Sequence, residues 1–439
     1  MKLVLSLWLA VCGVASAQLS PVPPPSTALP AHPFFITKTW YVGGAGDWDY
    51  LTIDPAANQL FIAHGTEVQV VDLESGTLAG VVSPMREAHA IVLDAQGAYG
   101  YVSDGPADMV RVFDRRTFQV VASIPTGPSP RSMALDPTTG LLFVVGALQV
   151  TGNQAVSGNQ PPVPRRNAPA QGANARQPSA ASAHGPESTL TVIDVEQRVQ
   201  LAQVVLPGVL GFAQGDGNGQ IYITVSDRNQ IIRLDALAIG AAVHRLINEQ
   251  AAAQKKQAAA EPTPQAAGRR TADNPPQLDL TGQVPPDAAA ALPRSFRLDS
   301  SCERPRALAI DSAHERLFAA CSNYRMVVLD AQSGHVVAQL PIGPGPDAIG
   351  YDPNRGLIFT ANGAADGSLT IIRQDVTDTY SVVQTLPTRQ NARTLAINPS
   401  TGEVYLAAVI YGAELNNLNG ASVKMKALDG SFQVLVVGN

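Results

Sequence analysis

The sequence predicts an all-β protein: a seven-bladed β-propeller of four-stranded antiparallel blades, closed by the N-terminal strand joining the last blade. Three observations predict it. First, a residue opening an apolar run is followed twelve positions later by an aromatic, seven times: Asp49/Phe61, His89/Tyr101, Arg131/Phe143, Leu210/Tyr222, Arg306/Phe318, Asp347/Phe359 and Arg393/Tyr405. Second, short β-rich runs surround each pair, split by Gly, Asn, Pro and Ser, with the period of about 40–50 residues expected of blades. Third, the opening runs are large on one side (Leu51/Ile53, Ile91/Leu93, Leu308/Ile310) and small on the other (Ala90, Ser132/Ala134, Ala307/Ala309). A strand buried on both faces between neighbouring sheets needs that complementarity; a half-solvated strand would alternate apolar with polar.

Residues 1–17 read as a secretory signal peptide: Met1-Lys2, an apolar run Leu3 to Val14, then Ala15-Ser16-Ala17. The run is too short to span a bilayer. Cleavage before Gln18 is expected, leaving residues 18–439 as one exported propeller domain, periplasmic or extracellular, with no membrane span and a monomer as the expected state.

Ile36-Thr-Lys-Thr-Trp-Tyr-Val42 then precedes the first copy without a blade of its own. The seventh copy, Arg393 to Val437, lacks an outer strand. The leading strand therefore supplies the fourth strand of the last blade, which removes an exposed edge. Within the copies, the third run ends in aspartate at Asp72, Asp114, Asp194, Asp235 and Asp330, a residue that closes turns by accepting backbone hydrogen bonds.

Two insertions interrupt the plan. Residues 149–187 are rich in Gln, Asn, Pro, Ala and Ser and predict a disordered insertion in blade three, emerging at the mouth where the lead residues stand. Residues 236–293 predict an Ala-rich insertion in blade four, helical from Leu237 to about Ala260 and then broken by Pro262, Pro264, Pro275 and Pro276. Cys302 and Cys321 remain after the leader; in an oxidising compartment two cysteines pair, and antiparallel neighbouring strands bring these positions to one end of blade five.

The motifs Gly43-Gly-Ala-Gly-Asp-Trp-Asp-Tyr-Leu51, Tyr101-Val-Ser-Asp104, Phe359-Thr-Ala-Asn-Gly363 and Ala392-Arg-Thr-Leu-Ala396 resemble the exported YVTN-repeat β-propellers of bacteria. The resemblance covers nearly the whole chain outside the insertions. It implies the propeller fold and export, and no common catalytic set comes with it.

The formal charge, 30 Lys and Arg against 36 Asp and Glu, gives −6 and no electrostatic reason to expect nucleic acid. There is no Cys-x-x-Cys-His, Gly-x-Ser-x-Gly or Walker-type loop. No cofactor, metal or catalytic residue is assigned; His64 and His89 stand apart and read as ordinary hydrogen-bonding histidines. The first strand of each blade lines the channel, so the lead residues form a ring near one mouth. Six are polar in an otherwise apolar repeat: Asp49, His89, Arg131, Arg306, Asp347 and Arg393, with Trp48 as a neighbouring aromatic wall. Three arginines and a histidine suit an anion, arginine supplying bidentate geometry. The plainer reading is that these charges pair with one another and with water. The expected function is a non-enzymatic exported scaffold that binds a small ligand, an anion being one class, or a protein partner at the mouth. The alternative is a lactonase-like propeller hydrolase, which in its calcium-dependent form needs a carboxylate-rich cluster that a ring with more arginines than aspartates does not supply.

Overall fold

The computed structural model describes residues 32–44, 46–94, 97–147, 186–260, 292–376, 378–416 and 422–439. The leader and Arg165-Arg166 lie outside the described residues, as does most of the expected insertion in blade three. The four-stranded sheets number seven, each antiparallel and built from consecutive strands except the last. Their innermost strands are Trp48–Asp54, Ala88–Leu93, Pro130–Asp136, Leu210–Gly215, Pro305–Asp311, Pro346–Asp352 and Leu395–Ile397. We call the end at which these strands begin the mouth.

The seven aromatics of the repeat explain the packing. Phe61, Tyr101, Phe143, Tyr222, Phe318, Phe359 and Tyr405 all sit on second strands at 0–1% exposure. Each fully buried ring is worth roughly 1.5–3 kcal/mol of apolar transfer, so together they make a large part of the core. The apolar clusters join neighbouring blades: Phe61 and Ala63 of blade one meet Ile91, Val102 and Phe113 of blade two, for example.

The ring closes as the sequence predicts. Phe35–Tyr41 runs antiparallel to Gln433–Gly438, with Trp40 opposite Val434 and Phe35 opposite Gly438. The order within this sheet puts Gln433–Gly438 between the leading strand and Val404–Ala408. Trp40 packs at 5.4 Å against Tyr405 of its own blade. It also lies over the Gly76 turn of blade one, where any Cβ would fall within 2.2 Å of the Trp40 ring. Gly76 has φ +69°, so glycine satisfies both the backbone and the close approach.

The aspartates closing the third strands act as turn residues in all five blades where they occur. The amides of Ser75, Thr117, Gln197, Ala238 and Ser333 donate to the carboxylates of Asp72, Asp114, Asp194, Asp235 and Asp330, three residues back. Bonds from the Ser75 and Thr117 amides hold the Asp72 and Asp114 carboxyls below the usual carboxylate range, and bonds from the Ser333 hydroxyl and amide do the same for Asp330.

In blade four Asp235 caps the helix Ala236–Ala260, as the alanine-rich run predicts. Its Ala236, Ile239, Ala242 and Val243 bury against blades three and four, on the face away from the mouth. The blade-three sheet resumes at Glu187, within the stretch expected to be insertion, and Glu187 pairs with Pro207. One element is unexpected: a hairpin of Tyr411–Asn416 and Ser422–Ala427 between the second and third strands of blade seven, at the mouth. Cys302 and Cys321 are disulfide-bonded with Cα atoms 5.3 Å apart, joining the segment that enters blade five to the end of its second strand. Among the described residues no helix is long and apolar enough to cross a membrane.

Candidate functional site

The lead residues owe their placement to a repeated defect. In six blades the register of the innermost strand slips by one residue at its mouth end: between Trp48 and Leu51, Ala88 and Ile91, Pro130 and Ser132, Leu210 and Ala213, Pro305 and Ala307, and Pro346 and Ala348. A β-bulge re-aims a side chain that regular pairing would bury. Asp49, His89, Arg131, Arg306 and Asp347 all occupy these bulges; Arg393 stands just before the short strand Leu395–Ile397 of blade seven.

Blade four corrects the ring. Leu210 is not its lead residue. It pairs with Val225 as Trp48 pairs with His64, and it is buried. The next residue, Gly211, holds the bulge position. The amide of Phe212 donates to Thr224 Oγ1 as that of Ala90 donates to Ser103 Oγ, which aligns Gly211 with His89. The turn explains the slip: three residues separate Asp216 from Gln220, whereas four separate Asp54 from Gln59. The ring is therefore Asp49, His89, Arg131, Gly211, Arg306, Asp347 and Arg393, with a gap between Arg131 and Arg306.

Most of the charges pair. Asp49 Oδ2 lies 2.9 Å from His89 Nδ1. Asp347 Oδ1 accepts from Arg306 Nε at 3.0 Å and Nη2 at 2.6 Å, and its Oδ2 lies 3.6 Å from Arg393 Nε. Burial opposes the Arg306 charge, but Asp347 outweighs it and raises the guanidinium pKa above its ordinary value. Arg393 donates to the Trp48 carbonyl at 3.1 Å and lies 5.3 Å from the Trp48 ring. Trp48 is not the aromatic wall the sequence suggested. At 2% exposure it sits behind the ring, against Phe432, and offers its face to Arg393 rather than to the mouth. Arg131 differs from the rest: the residue is exposed, and its guanidinium has no hydrogen-bond or ion-pair partner among the described residues.

The residue after each lead is small in five blades: Ala90, Ser132, Ala307, Ala348 and Thr394. It is aromatic in the other two. Tyr50 of blade one and Phe212 of blade four meet across the axis, ring centres 5.3 Å apart and inclined at 61°. The small residues leave room for these rings, which meet within the channel behind the ring of lead residues. Burial drives the Tyr50 phenol far above its ordinary pKa; Asp49 and Asp347 raise it further, while Arg306 and Arg131 pull the other way. The phenol therefore stays protonated, and it has no hydrogen-bond partner among the described residues.

Other candidates resolve differently. His64 is buried, stacks at 4.1 Å on Phe432 and lies 3.3 Å from the Gly46 carbonyl. Among the described residues no group of three or more His, Cys, Asp and Glu stands together in a way that could hold a metal ion. A cavity of about 230 Å³ lies on the far face between blades four and five, lined by Asp216, Gln220, Tyr222, Arg233, Glu315 and Gln332 among others. Its lining is internally bonded: Arg233 to the Ala331 carbonyl and Gln332, and Gln332 to Glu315.

No family model matches this sequence, and no curated protein matches it. Solved structures do. A chain in the crystal structure of a mitotic checkpoint complex is 12% identical with a TM-score of 0.57, the match covering 90% of this chain and 96% of that one. The structure of U3-55K is 8% identical with a TM-score of 0.57, over 90% and 97% of the two chains. The WD40 repeats of RRP9 are 8% identical with a TM-score of 0.57, over 91% and 96%. At these identities the likeness shows the fold: a seven-bladed propeller like those of WD40 proteins.

Proposed function

We propose that this protein is an exported binding scaffold whose working surface is the mouth of the propeller, where it receives a group from a protein partner or small ligand. The observation that carries the reading is the cup at the mouth: a polar ring backed by the Tyr50–Phe212 pair, whose rings meet across the channel. The rim fits a partner, since Tyr41, Val209, Tyr324, Ile410 and Leu428 are exposed apolar residues at that end. The WD40-like neighbours support a scaffold through fold-level analogy alone. Export rests on the leader pattern of residues 1–17 and on the resemblance to YVTN-repeat propellers. The disulfide is compatible with an oxidising compartment.

The test is site-specific photo-crosslinking in the native host. Crosslinkers replace Val209 and Tyr324 at the mouth, and Leu237 and Val376 on the far face. Discrete adducts from the two mouth positions, with none from the far face, are expected. Adducts only from the far face would contradict the assignment, and none at all would remove the protein partner from it.

A further inference from the structure

The ring residues divide by how they are satisfied, and that division identifies what the cup holds. Asp49 is engaged by His89, and Asp347 by Arg306 and Arg393. Both acidic members thus already have partners. Of the basic members, Arg306 and Arg393 are spoken for by Asp347 and the Trp48 carbonyl. Arg131 alone keeps a full set of guanidinium donors free among the described residues. The next ring position is Gly211, which has no side chain to compete for them. Beyond it stands Phe212, only partly buried, with its ring against Tyr50. The Tyr50 phenol is also unengaged, and the charge of Arg131 reaches it.

An unpaired fork of N–H donors, a protonated phenol and an aromatic face beside an empty ring position suit one kind of occupant. We infer that the cup binds a carboxylate carried on an apolar body: its oxygens accept from Arg131 and from Tyr50, and its apolar part rests on Phe212 in the gap left by Gly211. Guanidinium matches a planar carboxylate with two parallel bonds. A cationic group would meet only carboxylates already paired. A bare inorganic anion would leave the Phe212 face unused. This inference rests on the mouth being the working surface and adds the chemistry of what enters it. The carboxylate has two possible sources, a free small organic acid or the carboxyl end of a peptide, and the same experiment separates them.

Isothermal titration of the full chain uses benzoate, its neutral isostere benzamide, and acetyl-Gly-Phe with a free or an amidated end. Saturable binding of benzoate or of the free-acid peptide supports the inference; which of them binds identifies the source. The neutral counterparts are expected to bind on the order of 10-fold more weakly or worse, the scale of a lost charge-assisted hydrogen bond. Arg131→Gln should weaken the acid by on the order of 10-fold or more, and Tyr50→Phe by roughly 2- to 10-fold. Glu315→Gln on the far face should change nothing. Tyr50→Phe removes only a hydroxyl and Arg131→Gln shortens an exposed side chain, and equal melting temperatures verify that both fold. Failure of both acids to bind, equal binding of acid and amide, or equal binding by Arg131→Gln overturns the inference; unchanged binding by Tyr50→Phe removes the phenol from it. Mouth adducts without carboxylate binding would overturn this inference alone. Carboxylate binding without mouth adducts would remove the protein partner from the reading and leave a small-ligand site.

Discussion

Replacing Trp40 by alanine tests the closure of the ring at its most exposed joint. Trp40 comes from the leading strand, is 8% exposed, and contacts Tyr405 within blade seven and the Gly76 turn of blade one. Removing a buried tryptophan typically costs about 3–5 kcal/mol, transfer and cavity terms together. The surrounding strands are held by Tyr405 and by main-chain pairing from Phe35 to Tyr41, so little collapse into the gap is expected and the cost should stay in that range. Unfolding entropy near 2 cal/mol/K per residue, over a domain of several hundred residues, converts 4 kcal/mol into a fall of roughly 5 °C. The neighbouring Tyr41 is an internal control. It lies on the same strand but is 70% exposed, so Tyr41→Ala should stay within about 0.5 kcal/mol. Urea denaturation and thermal melting of both variants are the assay, with limited proteolysis to detect release of the leading strand. If Trp40→Ala costs no more than Tyr41→Ala, the first strand is not energetically part of the seventh blade and the argument for closure fails.

Replacing Cys302 and Cys321 together by alanine reopens a loop of 19 residues and should cost about 3 kcal/mol by loop-closure entropy, measured by denaturation against the wild type. Burial raises the Asp136 carboxyl, but hydrogen bonds from Thr138, Thr139 and Gly219 outweigh it and hold the pKa below the ordinary value. A depressed carboxylate stabilises the fold above its unfolded pKa of about 4, and loses that contribution as pH falls through the folded value. The stability gap between wild type and Asp136→Asn should therefore be full near neutrality and shrink below about pH 4; a gap that does not change with pH would refute this.

The architecture was legible because it repeats. Seven aromatics at one spacing each found a fully buried place on a second strand, and the turn aspartates do what their chemistry suggests wherever they occur. The closing strand was legible as a surplus at one end matched by a deficit at the other. Blade four was misread by one residue, and the reason is geometric. A twelve-residue interval runs across a hairpin, so it silently includes the turn, and the shorter Asp216–Gln220 turn moved the lead position from Leu210 to Gly211. The pairing of Asp347 with two arginines could not be read, since the ring order fixes which blades are adjacent but not which side chains reach each other. Nor could the Tyr50–Phe212 contact: the two residues stand in blades one and four, and nothing local to either marks the other. Their signal was present as a broken pattern, two large residues at a position that is otherwise small. The hairpin of Tyr411–Asn416 and Ser422–Ala427 has no counterpart among the described residues of the other copies, so a repeat-based reading passed over it.

The strand order of blade seven has a consequence for how the molecule is made. Gln433–Gly438 is not a fringe added to a finished object; it slots into the interior of its sheet, with the chain's opening segment on one flank and Val404–Ala408 on the other. As the chain is made, Phe35–Tyr41 must wait, without its strand partner, until Gln433–Gly438 follows. A premature stop that removes those six residues would not trim a border. It would take out a middle plank, strand the opening segment, and leave blade one facing water across a broken seam.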